Sequence, residues 1–192
     1  QAGGAARQLV VLLHGYGADG RDLISLARHW QGLLPHALFL SPNAPRPAAG
    51  NPVGYQWFDI PREDPSERVA GAAAADGVIR AFLAEAWTQT GLGPEQTLLV
   101  GFSQGAMMAL HVGLSLDRPL MGIVAFSGML IAPPAFAAGI DQVLPGARSL
   151  EATDALRAAG YEVNLHTSPG VAHGIDPDGL AFASSFIASL AA

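Results

Sequence analysis

Leu9-Val10-Val11-Leu12-Leu13 is an uninterrupted apolar run of strand length, the pattern of a β-strand covered on both faces. The pattern recurs at 37–40 (Ala-Leu-Phe-Leu), 97–100 (Thr-Leu-Leu-Val) and 123–126 (Ile-Val-Ala-Phe). Between these runs the apolar spacing becomes helical. It predicts helices from about Asp22 to Trp30, from Ser66 to about Gln89, from Ala106 onward, from Ala147 to Ala159 and from Leu180 to Leu190. The second of these carries a stripe of Val69, Ala72, Ala73, Ile79, Phe82, Leu83 and Ala86. Ser66 can cap its start, while Gly91 and Gly93 close it and Gly160 stops the helix after Ala147. Glu162 to His166 reads as a further strand. Strict alternation of buried strands with helices predicts an α/β protein: a mostly parallel central sheet, helices on both faces, three layers and right-handed crossovers. Residues 42–65 interrupt the alternation with six prolines and the aromatic cluster Tyr55, Trp57 and Phe58, and read as one long structured loop.

One strand-to-helix junction is distinctive. Gly101-Phe102-Ser103-Gln104-Gly105 joins the third apolar run to the helical Ala106-Met107-Met108-Ala109-Leu110-His111. This is G-x-S-x-G in the context of a nucleophile elbow, where a strand turns at once into a helix and presents the serine Oγ above the sheet. Side chains two before and two after the serine would collide, so both positions want glycine. The helix that follows directs backbone N–H groups and its positive dipole end to the same place, which suits an oxyanion.

Such a serine needs a base, and in this architecture the base comes from a loop after a late strand. His173, in Pro169-Gly170-Val171-Ala172-His173-Gly174, fits that position. His166 belongs to the preceding strand, His111 lies two helical turns beyond the elbow, and His29 and His36 flank an early helix. The acid must fall between the strand ending at Phe126 and His173. Asp141, in loop-like sequence ahead of a helix, is preferred over Asp154 within that helix, and would hold the imidazole tautomer. The loop after the first strand, His14-Gly15-Tyr16-Gly17, should bring the Tyr16 N–H beside the Gln104 N–H as the two oxyanion donors.

Composition removes rival chemistries. The chain has 192 residues and fits one domain, 1–192. Half the residues are apolar, but no apolar run approaches the ~20 residues of a membrane span, so no stable membrane insertion is expected. A formal charge of −6 without a basic cluster argues against nucleic acid and anionic lipid. The absence of cysteine excludes a thiol nucleophile and a thiolate metal site. No G-K-[ST] follows the first strand, and no cofactor or metal is implied. The N-terminus shows neither Met nor a signal pattern, which reads as a trimmed start and a cytoplasmic protein.

Six ordered motifs together resemble the phospholipase/carboxylesterase family of α/β hydrolases, which includes bacterial carboxylesterases and acyl-protein thioesterases. They are residues 13–23 (LHGYGADGRDL), Trp57-Phe58-Asp59, Gly101 to Met107, Phe126-Ser127-Gly128, Asp141-Gln142-Val143-Leu144-Pro145 and Gly170 to Gly174. The resemblance implies an α/β-hydrolase fold, a Ser103–Asp141–His173 triad and oxyanion donors Tyr16 and Gln104. One departure stands out. The family carries an apolar strand shortly before the D-x-V-x-P motif, whereas here 131–140 (IAPPAFAAGI) meets Asp141 directly. Loss of a sheet strand would expose two edges. Roughly 10 to 20 residues are therefore expected to be missing between about Ala138 and Asp141.

The expected activity is hydrolysis of small to medium acyl esters through an acyl-Ser103 intermediate. Leu23, Trp57, Phe58, Met107 and Met129 are candidate pocket walls, with plain core as the equal alternative. A protein thioesterase or lysophospholipase would use the same chemistry, and a non-catalytic binding module would have lost the nucleophile, base or elbow glycines. The expected partner is a small-molecule ester, and the apolar surface around the proline-rich loop is compatible with a homodimer.

Overall fold

The computed structural model describes residues 4–60, 66–131 and 147–191. Its central sheet is built from β1 (Gln8–Leu13), β2 (Ala37–Leu40), β5 (Thr97–Phe102) and β6 (Gly122–Phe126), all parallel in the order β2-β1-β5-β6. Side chains alternate across a strand, so each apolar run feeds two cores. Leu9, Val11 and Leu13 of β1 and Leu99 of β5 pack on one face against Ala72, Ile79 and Leu83 of α3 (Ser66–Thr90) and Met108 and Val112 of α4 (Gln104–Gly113). Val10, Leu12, Leu98 and Val100 face the other way, toward Trp30 and Leu34 and toward Ala183 and Ile187 of α6 (Pro177–Leu190). Each fully buried leucine or isoleucine here is worth roughly 1.5–3 kcal/mol relative to exposure.

The predicted helix at 22–30 is two single turns, α1 (Gly20–Leu23) and α2 (Ala27–Trp30), joined by a 3₁₀ turn. Asp19 caps α1 by accepting from the Arg21 and Asp22 N–H groups. Trp30 Nε1–H donates to Ser184 Oγ at 3.0 Å and ties α2 to α6. Helix α5 spans Ala147–Ala158, and α6 starts at Pro177, three residues earlier than the periodicity suggests, because Asp176 caps it through the Gly179 N–H.

Two expectations are corrected. The proline-rich stretch is not simply a loop: it contains an antiparallel ribbon, β3 (Arg46–Ala48) with β4 (Asn51–Gln56). Pro47 and Pro52 lie within these strands, which a two-stranded ribbon tolerates because each strand keeps an unpaired edge. The ribbon is docked on the loop after β1 by Gly17 N–H to Tyr55 O at 2.9 Å and Tyr55 N–H to Ala18 O at 2.8 Å. The second correction concerns Glu162 to His166, which is not a strand. A strand needs a neighbour for its N–H and C=O groups, and β6, the outermost strand of the described sheet, pairs only with β5. A cleft of about 920 Å³ lies between β6 and 161–168, lined by Ile123, Ala125, Leu165 and Phe186 among others. The junction between Ala138 and Asp141 lies outside the described residues. No helix among the described residues is long and apolar enough to cross a membrane.

Candidate active site

Ser103 sits between β5 and α4 with φ 52° and ψ −114°, a conformation that costs a non-glycine residue of order 1–3 kcal/mol. Its surroundings hold it there. Ser103 N–H donates to Phe126 O at 2.9 Å, extending the β5–β6 ladder by one bond, and the helix begins at the next residue. The flanking glycines are required sterically: a methyl on Gly101 would overlap the Gly105 carbonyl, and one on Gly105 would overlap the carbonyl of Leu13 in β1. The elbow thus packs backbone against backbone at the centre of the sheet.

His173 reaches this serine from the loop before α6. Its Nε2 lies 2.8 Å from Ser103 Oγ, and its ring rests 5.2 Å from that of Phe102, centroid to centroid. The loop is closed at its base by Ser168 Oγ donating to Asp176 Oδ1 at 2.9 Å, with His166 Nε2 3.1 Å from the same Oγ. Ser127 at the end of β6 donates to Gly174 O at 3.0 Å and fixes the loop's other side. The Ser168 hydroxyl, aided by the Gly179 N–H, holds the Asp176 carboxyl below the usual carboxylate range. A serine hydroxyl that can donate to an imidazole at this distance can pass its proton to that nitrogen as it attacks.

The loop after β1 approaches from the side. A methyl built on Gly15 would lie 3.4 Å from Ser103 Cβ, so the Gly15–Tyr16 peptide borders the nucleophile. Neither the Tyr16 nor the Gln104 N–H has an acceptor among the described residues. Asp141 lies outside the described residues. Of the five candidate pocket residues, Trp57, Phe58, Met107 and Met129 share the core on the α3–α4 face, whereas Leu23 packs into the core on the opposite face of the sheet. Trp57 and Phe58 are almost wholly buried. Among the described residues no three or more His, Asp or Glu side chains converge as a metal site would require.

Sequence reasoning missed a buried polar bracket behind the site. Trp57 N–H donates to Gln104 Oε1 at 2.9 Å, Gln104 Nε2 donates to Phe58 O at 2.7 Å, and the Trp57 indole N–H donates to His14 O at 2.9 Å. His14 itself is fully buried, and burial pushes its imidazole below the ordinary histidine range. The available signal was the concentration of polar types, His14 and Gln104, in otherwise apolar or glycine-rich sequence.

A doubly covered parallel sheet with a strained serine on a strand-to-helix elbow and a loop histidine beside it defines an α/β hydrolase. The model of the phospholipase/carboxylesterase family matches residues 1–191, and the chain belongs to that family of carboxylic ester hydrolases. It is 31% identical to the esterase YpfH of Escherichia coli K12, over 93% of this chain and 81% of the relative. It is 32% identical to acyl-protein thioesterase 1 of Saccharomyces cerevisiae over 214 residues, covering 95% of this chain and 92% of the yeast protein. The crystal structure of esterase PE8 superposes with a TM-score of 0.89 at 48% identity, covering 97% of this chain and 94% of that one.

Proposed function

We propose that the chain is a serine carboxylesterase that hydrolyses small to medium acyl esters through a covalent acyl-Ser103 intermediate. The observation that carries this reading is the 2.8 Å approach of His173 Nε2 to the Oγ of an elbow serine. Ser103 Oγ attacks the ester carbonyl carbon while its proton passes to His173 Nε2. The tetrahedral oxyanion lies between the N–H groups of Tyr16 and Gln104, each such donor being worth about 3 kcal/mol of transition-state stabilisation. Collapse breaks the bond to the alkoxy oxygen, which leaves as the alcohol with the proton from His173. Water then attacks the acyl-serine with His173 again as base, releasing the carboxylic acid and restoring Ser103. Asp141 is assigned to the imidazolium as its orienting carboxylate.

A thioesterase reading is favoured by one observation, the likeness to a yeast relative named as an acyl-protein thioesterase. The same steps cleave a thioester, with a thiol as leaving group. Hydrolysis rates on matched acyl esters and acyl thioesters of increasing chain length separate the two. The esterase reading predicts the highest kcat/KM on short to medium oxygen esters, and a strong preference for long-chain thioesters would overturn it.

A further inference from the structure

His14 stands one residue beyond β1, out of reach of any substrate and without a place in the chemistry, yet both its ring nitrogens are engaged. The Ala44 N–H donates to Nε2 at 2.9 Å. A backbone amide can only donate, so Nε2 is the bare nitrogen and the proton is on Nδ1, 2.7 Å from the carbonyl oxygen of Gly15. That carbonyl also accepts from Ala18 N–H at 3.3 Å. The Gly15 C=O and the Tyr16 N–H belong to one planar trans peptide and point in opposite directions, so a bond that holds the first aims the second.

We infer that His14 is a positioning residue for the oxyanion hole, its Nδ1–H locking the Gly15–Tyr16 peptide so that the Tyr16 N–H faces the oxyanion formed when Ser103 attacks the ester carbonyl. This rests on the reading of Tyr16 N–H as an oxyanion donor. The Trp57 bracket extends the lock: it joins the His14 carbonyl to the Gln104 side chain, so the two donor peptides are held in one buried frame. The rings of Trp57 and Tyr55 stand 5.4 Å and 6.5 Å from the imidazole, and Asp19 and Asp22 on the α1 side are the charged groups that face it. A second proton on His14 would set its Nε2–H against the Ala44 N–H. The Ala44 amide therefore holds His14 in the neutral Nδ1–H tautomer that donates to Gly15 O.

The test separates the two hydrogen bonds. His14→Asn keeps an N–H donor near the Nδ1 position and loses the acceptor, while His14→Gln keeps an acceptor near Nε2 and loses that donor. The expected result is a kcat within about fivefold of wild type for H14N and about 100-fold lower for H14Q, with KM within threefold in both. Equal losses of kcat in the two variants, or none in H14Q, overturn the inference. Replacing the Tyr16 amide by an ester, using the α-hydroxy analogue of tyrosine, tests the underlying reading alone: a loss of about 100-fold supports it and an unchanged kcat removes it. A loss there with H14Q unaffected rejects the positioning role and leaves the oxyanion assignment standing. If H14Q does not fold, thiazol-4-ylalanine at position 14, whose ring nitrogen in the δ1 place carries no proton, removes the donor within a ring of similar shape. The kcat should then fall by about 100-fold, and an unchanged kcat contradicts the role of His14.

Discussion

Single residues in this molecule are held by backbone contact as much as by side chains. Gly105 shows this most plainly, because the space where its side chain would be is filled by the Leu13 carbonyl of β1. Gly105→Ala is expected to cost about 3–5 kcal/mol, measured by urea denaturation, because β1 and α4 must separate at the centre of the sheet; a loss under 1 kcal/mol would show that the elbow can relax. Asp176 gives a prediction in pH. Its folded carboxyl titrates below its unfolded value, chiefly through the Ser168 hydroxyl, so its stabilising contribution is present above the unfolded value and is lost as pH falls through the folded one. Asp176→Asn should therefore melt below wild type at neutral pH, with the gap closing as pH falls through the carboxylate range. A gap that stays constant across that range contradicts the assignment. Ser103 and His173 were legible because the elbow and the glycine-flanked loop are local patterns. The bracket of Trp57 with His14 and Gln104, and the Ala44 bond to His14, were not, since these join residues 30 to 47 positions apart in sequence.

Elements were legible where burial alone decides them. Strands β1, β2, β5 and β6 are apolar on both faces, and no surface alternative satisfies such runs. The β3–β4 ribbon was hidden because proline density outweighed strand signals, although a ribbon needs few of its N–H groups. The segment 162–166 was misread for the opposite reason: Val163 and Leu165 alternate with polar residues as in a strand, but the ladder partner is out of reach across the cleft beside β6. The match to the yeast relative runs over 214 residues, more than the 192 of this chain, so that relative carries residues this chain lacks. An insertion of roughly 10 to 20 residues, encoding one strand and its connections between Ala138 and Asp141, is expected to raise Tm by several degrees and give 162–166 a partner. An unchanged Tm and an empty cleft in the longer chain would contradict a strand deficit.

At the scale of the whole molecule, a sheet covered on both faces positions the elbow against two loops held by hydrogen bonds. Strands β1 and β5 are neighbours in the sheet, which puts the Tyr16 loop and the Ser103 elbow side by side at their carboxyl ends, and the His173 loop closes over them from α6. Family membership establishes ester hydrolysis as the class of reaction, and Ser103 and His173 are proposed to perform it. The most direct measurement is labelling by a fluorophosphonate, with the modified peptide mapped and esterase activity followed in parallel. The expected result is one label per chain on Ser103, loss of activity in step with labelling, no label on Ser103→Ala, and labelling of His173→Ala slowed at least about 100-fold. Full labelling and full activity in Ser103→Ala would contradict it.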